Sequence, residues 1–190
     1  MQVNIFWTGR EYYSLENCIV NMSNSGSEIN SVIIGMYNKN IYRVEYLIKT
    51  NENWETIFFE LKTQLYDKRE IFSCCSDGKG NWIKDGEPAN EFNGCIDIDI
   101  PLTPFTNTLP INRNKLSVNE SKQIKVIYLD ILNEQFKPVQ HKYTRLSQFR
   151  YKYENVPNDF EAVITIDELG FVIDYPELFV RTERRESNYP

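Results

Sequence analysis

The sequence predicts an all-β protein: a single long antiparallel meander, curled on itself, with little helix. Three observations carry this. Apolar residues recur with a period of two, turn-forming clusters fall at strand spacing, and aromatics are abundant, with 12 Tyr, 11 Phe and 3 Trp in 190 residues. Aromatic and β-branched side chains suit a pleated, half-buried surface.

The alternation is clearest in three runs. Tyr42, Val44, Tyr46 and Ile48 fall on one face of a strand, with Arg43, Glu45 and Lys49 on the other. Ile57, Phe59 and Leu61 oppose Thr56, Glu60 and Lys62, and Phe160, Ala162, Ile164 and Ile166 oppose Glu161, Thr165 and Asp167. One wet face and one buried face is the signature of antiparallel sheet. Between such runs lie turn signals, among them Thr8-Gly9-Arg10, Asn38-Lys39-Asn40, Asp77-Gly78-Lys79-Gly80 and Glu168-Leu169-Gly170. Gly78 and Gly80 read as a hairpin turn and nothing more. The spacing gives roughly a dozen strands. A flat sheet of that size would expose two edges and an apolar face, so it must curl into a barrel, a roll or two packed layers. A concave sheet then encloses either a packed core or a ligand cavity.

No run shows a sustained helical period, and no repeat appears at periods of about 20 to 50 residues. Residues 1–180 therefore read as one domain. Residues 181–190, including Arg181-Thr182-Glu183-Arg184-Arg185, read as a polar, solvated tail.

The net charge of −6 argues against a nucleic-acid binder, which needs a Lys/Arg surplus on at least one face. No stretch approaches the roughly 18 apolar residues of a membrane span, and no leader pattern opens the chain, so a cytoplasmic location is expected. In that compartment Cys18, Cys74, Cys75 and Cys95 read as buried apolar residues or free thiols, with the adjacent Cys74 and Cys75 on opposite faces of a strand. No metal or cofactor set is expected. The lone His141 lacks a second ligand at metal spacing and reads as a surface or hydrogen-bonded histidine.

The most informative stretch is residues 91–116, read as one rigid strand-and-loop unit. In Gly94-Cys95-Ile96-Asp97-Ile98-Asp99-Ile100, strand parity puts Cys95, Asp97 and Asp99 on one face and the isoleucines on the other. Two such carboxylates lie about 7 Å apart along a strand, a spacing open to acid/base chemistry or hard-cation binding. Alternation alone places both in solvent or beside a neighbouring Lys or Arg. Buried, they would need donors such as backbone N–H groups or Arg113. Pro101, Pro104 and Pro110 exclude the next segment from the sheet and bias Ile100, Thr103 and Leu109 to extended geometry, predicting a stiff, irregular loop. Thr103, Thr106, Asn107 and Thr108 can brace it through side-chain hydrogen bonds.

Those residues carry a resemblance. Gly94-Cys95-Ile96-Asp97-Ile98-Asp99 running into Thr103-Pro104-Phe105-Thr106-Asn107-Thr108-Leu109-Pro110 resembles the signature of the putative glycolipid-binding protein family of bacteria. Further matches are Glu16-Asn17-Cys18, Trp54-Glu55-Thr56, Asp77-Gly78-Lys79-Gly80-Asn81-Trp82, Gln140-His141-Lys142-Tyr143-Thr144 and Asp174-Tyr175-Pro176-Glu177-Leu178-Phe179. The resemblance implies a spiral β-roll, similar in fold to periplasmic lipoprotein-carrier proteins that hold acyl chains in an apolar concavity. Asn112 stands where the family pattern has a second arginine beside Arg113.

The resulting expectation is a non-enzymatic binder of an amphipathic lipid or glycolipid. The strand faces Tyr42, Val44, Tyr46, Ile48 and Phe160, Ala162, Ile164 would line its cavity. Trp54, Trp82, Asp97, Asp99, Thr106, Asn107, Arg113 and Tyr143 are the candidate ligand-binding residues. Two alternatives stand beside it. One is a glycoside-type hydrolase using Asp97 and Asp99. The other is a structural or partner-binding protein with a filled core, in which exposed sheet edges could pair as a homodimer.

Overall fold

A computed structural model describes residues 1–187. Six long strands open the chain: β1 (Gln2–Gly9), β2 (Ser14–Ser23), β3 (Gly26–Tyr37), β4 (Asn40–Thr50), β5 (Thr56–Leu65) and β6 (Lys68–Ser76). Short β7 (Trp82–Lys84) and β8 (Glu87–Pro88) follow. The central segment then contributes β9 (Asp97–Asp99), a 3-10 turn at Phe105–Asn107 and helix α1 (Thr108–Asn114). The second half is β10 (Ser121–Asp130), β11 (Gln135–Ser147), β12 (Arg150–Val156), β13 (Glu161–Ile166), β14 (Val172–Tyr175) and β15 (Phe179–Ser187).

All fifteen strands belong to one sheet, ordered β8-β7-β6-β5-β4-β3-β2-β1-β15-β14-β13-β12-β11-β10-β9. The meander is antiparallel throughout except at its end, where β9 pairs with β10 in parallel. That pairing needs a long crossover between the two strands. Residues 100–120, with α1 inside them, supply it. The ladder is open, and its end strands are two and three residues long. β7 covers only Cys75 and Ser76 of β6, and β9 only Val126–Tyr128 of β10, so the rest of those two edges has no strand partner among the described residues.

The alternation places most of the core where expected, but Thr56, expected on the wet face of β5, is fully buried while Ile57 is only half-buried. Tyr42, Val44, Tyr46 and Ile48 are all buried, as are Phe59, Leu61, Ile164 and Ile166. Phe160 departs from its run: β13 begins one residue later, and Phe160 is 39% exposed. The inward side chains of β1–β5 do not line a hollow. They pack against Cys95, Ile98, Ile100, Leu102, Phe105 and Leu109 of the central segment in one continuous core. Phe105 sits between Tyr46 and Phe171, with ring centroids at 6.4 and 6.3 Å. Residues far apart in strand order also meet: Phe72 of β6 packs edge-on against Phe136 of β11 at 4.7 Å, and Lys68 pairs with Glu134 at 2.9 Å.

Two local expectations need correction. Leu109-Pro110-Ile111 is helical rather than an extended loop. Pro110 lies in the first turn of α1, where its missing N–H would have had no intrahelical partner anyway. The C-terminal run is also no solvated tail: Arg181 to Ser187 lie in β15, paired along β1. Arg181 and Arg184 converge on the nearly buried Asp167, with Arg184 Nη1 at 3.0 Å from Asp167 Oδ2. Residues 188–190 of the expected tail lie outside the described residues.

Gly80 does more than turn a hairpin. It holds φ +89°, its carbonyl accepts from Gly94 N at 2.9 Å, and a Cβ there would sit 2.9 Å from Gly94 Cα. The backbones of the two segments touch, which locks the hairpin onto the start of the central unit.

Candidate functional site

The central segment is held by three polar nodes. The first is Asp97 with Arg113. Asp97 is fully buried, and Arg113, from the last turn of α1, donates from Nε to Oδ1 at 3.1 Å and from Nη2 to Oδ2 at 2.5 Å. Burial pushes the Asp97 carboxyl up, against the pull of the guanidinium. Both oxygens are occupied and neither faces water. Asp97 therefore braces the segment and cannot act with Asp99 as a substrate-facing pair. The wet face predicted by alternation is lost because α1 folds back over β9.

Glu16 of β2 forms the second node. Its Oε1 accepts from Ser31 Oγ at 2.7 Å, Tyr46 Oη at 2.6 Å and Thr103 Oγ1 at 2.9 Å, while Oε2 has no partner. Burial pushes its pKa up to about 7, partly offset by those three hydroxyls. Thr103 Oγ1 also accepts from Phe105 N at 3.0 Å, so this carboxyl ties the loop to the first half of the sheet.

The third node faces a cavity. Asp99 Oδ1 accepts from Thr106 Oγ1 at 3.0 Å, and Asp99 Oδ2 lies 3.8 Å from His141 Nε2. His141 Nε2 is 3.1 Å from Tyr153 Oη, while its Nδ1 has no partner. Behind them Tyr143 Oη donates to Asn107 Oδ1 at 2.8 Å, and Asn107 Nδ2 donates to Pro104 O at 3.2 Å. His141 is buried rather than superficial, and desolvation lowers its pKa.

The cavity is an open cleft of about 640 Å³ between the β1–β2 turn, the loop after β9, and β10–β12 with β14 and β15. That is within the usual size range of small-molecule sites. Aromatic rings (Tyr12, Tyr128, Tyr153, Phe160, Tyr175, Phe179) line it together with polar side chains, among them Asp99, Thr103, Asn107 and His141.

Of the residues singled out from sequence, Asp99 and Asn107 line this cleft, and Thr106 and Tyr143 lie one hydrogen bond behind it. Trp82 is elsewhere, buried, with its indole N–H donated to Cys95 O at 2.7 Å and its ring edge-on to Phe59. Trp54 is half-buried in the β4–β5 turn at φ +64° and packs on the main core. Asn112, in the position of the absent arginine, donates to Leu169 O at 2.9 Å and pins the β13–β14 turn. Phe160, expected to line a cavity, does line the cleft; the other rings were missed as a site, although Tyr175, Leu178 and Phe179 stand in the terminal motif and His141 in the motif before it. All four cysteines are free, with Cys75 alone exposed.

Fold and site together define a mostly β, single-sheet protein with one small helix and a ligand-sized cleft. The chain belongs to the family described as Putative glycolipid-binding, which matches residues 4–181. It is similar to the crystal structure of a DUF1089 family protein from Pseudomonas aeruginosa, with 30% sequence identity and a TM-score of 0.78. That likeness covers 87% of this chain and 91% of the other. No curated protein matches the chain. No helix among the described residues is long and apolar enough to cross a membrane.

Proposed function

We propose that the protein binds an amphipathic lipid, a glycolipid in the sense of its family's description, without transforming it, in the cleft between β9–β12 and β14–β15. The observation that carries this reading is the mixed lining of the cleft: aromatic rings beside hydrogen-bonding groups, of which His141 Nδ1 has no partner. Apolar walls suit an acyl chain, and a few convergent polar groups fix a head group. The sheet turning back on itself as a roll is part of the same reading, supported by the Phe72–Phe136 contact between distant strands. The lipid site is then one end of that roll, because side chains fill the other. A cytoplasmic location belongs to the proposal too.

Native mass spectrometry of protein purified from cells, followed by lipid titration, tests it. Bound lipid is expected, released on denaturation, and its affinity should fall in Tyr175→Ala and Phe160→Ala. Protein that carries no lipid and takes none up would overturn the reading.

A further inference from the structure

We infer that the head group held in the cleft carries a protonated amine. This deepens the amphiphile-binding reading and rests on it. The cleft lining has four carboxylates, Glu11, Asp99, Asp130 and Asp159, against a single cation, Lys137. An anionic head such as phosphate or sulfate would enter against that field, whereas an ammonium is drawn in.

Two further features point the same way. The first is His141, a cleft-lining side chain only 2% exposed whose Nδ1 has no hydrogen-bond partner. Its Nε2 lies 3.1 Å from Tyr153 Oη and 3.8 Å from Asp99 Oδ2; in the tautomer with the ring proton on Nε2, Nδ1 is a buried lone pair without a donor. Asp99 has likewise engaged only Oδ1, leaving Oδ2 to accept. The cleft thus offers acceptors, and a primary ammonium brings three N–H donors.

The second feature is the set of aromatic rings. Tyr153, Phe160, Tyr175 and Phe179 form a chain of tilted and edge-on rings with neighbouring centroids 6.1 to 6.3 Å apart. Ring faces attract a cation once it is desolvated. An amino sugar on a lipid satisfies the family description and this chemistry together. A neutral sugar would leave the carboxylates uncompensated.

The test is calorimetric titration of the full chain, near neutral pH and below micelle formation, with three probes that share one chain: dodecylammonium, dodecyl maltoside and dodecyl sulfate. Dodecylammonium is expected to bind at least about tenfold tighter than the maltoside, and the sulfate weakest. Asp99→Asn should cost dodecylammonium about 10- to 100-fold, the worth of one charge-assisted bond, and leave the maltoside little changed. Should Asp99→Asn fail to fold, Asp159→Asn on the exposed rim gives the same selective loss on a smaller scale. Binding of all three probes regardless of head, or preference for the maltoside or sulfate, overturns the amine assignment and leaves the lipid reading standing. Failure of every probe to bind overturns both.

Discussion

The two halves of the sheet carry acids of opposite design, one buried and one part-exposed. Under β1–β5 the interior is filled by the central segment, and Glu16 is enclosed by Ser31, Tyr46 and Thr103, all bonded to a single oxygen. Beside β10–β15 the same segment packs through Ile111 and Leu116 on a second core and leaves a cleft next to it, where Asp99 keeps one oxygen and His141 one nitrogen without a hydrogen-bond partner. The difference lies in what the unpartnered atoms face. Glu16 Oε2 is also without a partner, but it is enclosed in the core, and the three bonds on Oε1 make this acid a tie between elements. Asp99 and His141 line the cleft, where a ligand can complete their network. Thr103 touches both halves, bonding Glu16 while lining the cleft.

Breaking the brace inside the central segment has the largest expected effect. Arg113→Ala leaves Asp97 buried without its cation and should destabilise by about 3–5 kcal/mol in chemical denaturation. A loss of under about 1 kcal/mol would show that Asp97 is wet and the brace ineffective.

The closed acid comes next, through pH. The Glu16 pKa is raised from 4.5 to about 7, so the folded state holds an extra proton between those values. Its contribution to stability is full below about pH 4.5 and is lost as pH rises to about 7, by roughly 3 kcal/mol at 1.36 kcal/mol per unit. His141 acts in the opposite sense: its pKa is lowered from 6.5, so its contribution is lost as pH falls below that value. Glu16→Gln isolates the first effect. The difference between wild-type and variant stability should change steadily between pH 4.5 and 7, and a flat difference would sink the assignment.

Tyr143→Phe sharpens the second half. It strips the donor from Asn107 Oδ1 beneath the cleft, at a cost of about 1–2 kcal/mol. The smallest effect is expected at the open acid. Asp99→Asn should change unliganded stability by under about 1 kcal/mol, because Asp99 engages only Thr106. Thermal melts read this directly, and a loss comparable with that of Arg113→Ala would erase the contrast between open and closed acids.

Much of the fold was legible in the chain, and the site less so. The faces of β4 and β5 could be read because alternation reports burial on one side of a strand, and Tyr42 to Ile48 obey it. It failed at Asp97, since parity cannot reveal that a helix will cover the second face. It failed again at β15, whose charged residues disguise a strand paired along β1. The exclusion of Pro101, Pro104 and Pro110 from the sheet was visible in the sequence, and so was Arg113 as the donor for a buried Asp97, but the burial itself and the contact of Gly80 with Gly94 were not. Both depend on residues that only the folded chain brings together.

By itself, then, the sequence determined the sheet, the period of its inward faces and the exclusion of Pro101, Pro104 and Pro110 from it, because these follow from local backbone preference and side-chain alternation. Tertiary structure decided which inward face is filled and which opens into a cleft. A filled and a hollow concavity share one alternation, and only the path of residues 100–116 across the sheet separates them. The same path closed off Asp97 behind Arg113 and left Asp99, two residues on, facing His141 and the cleft.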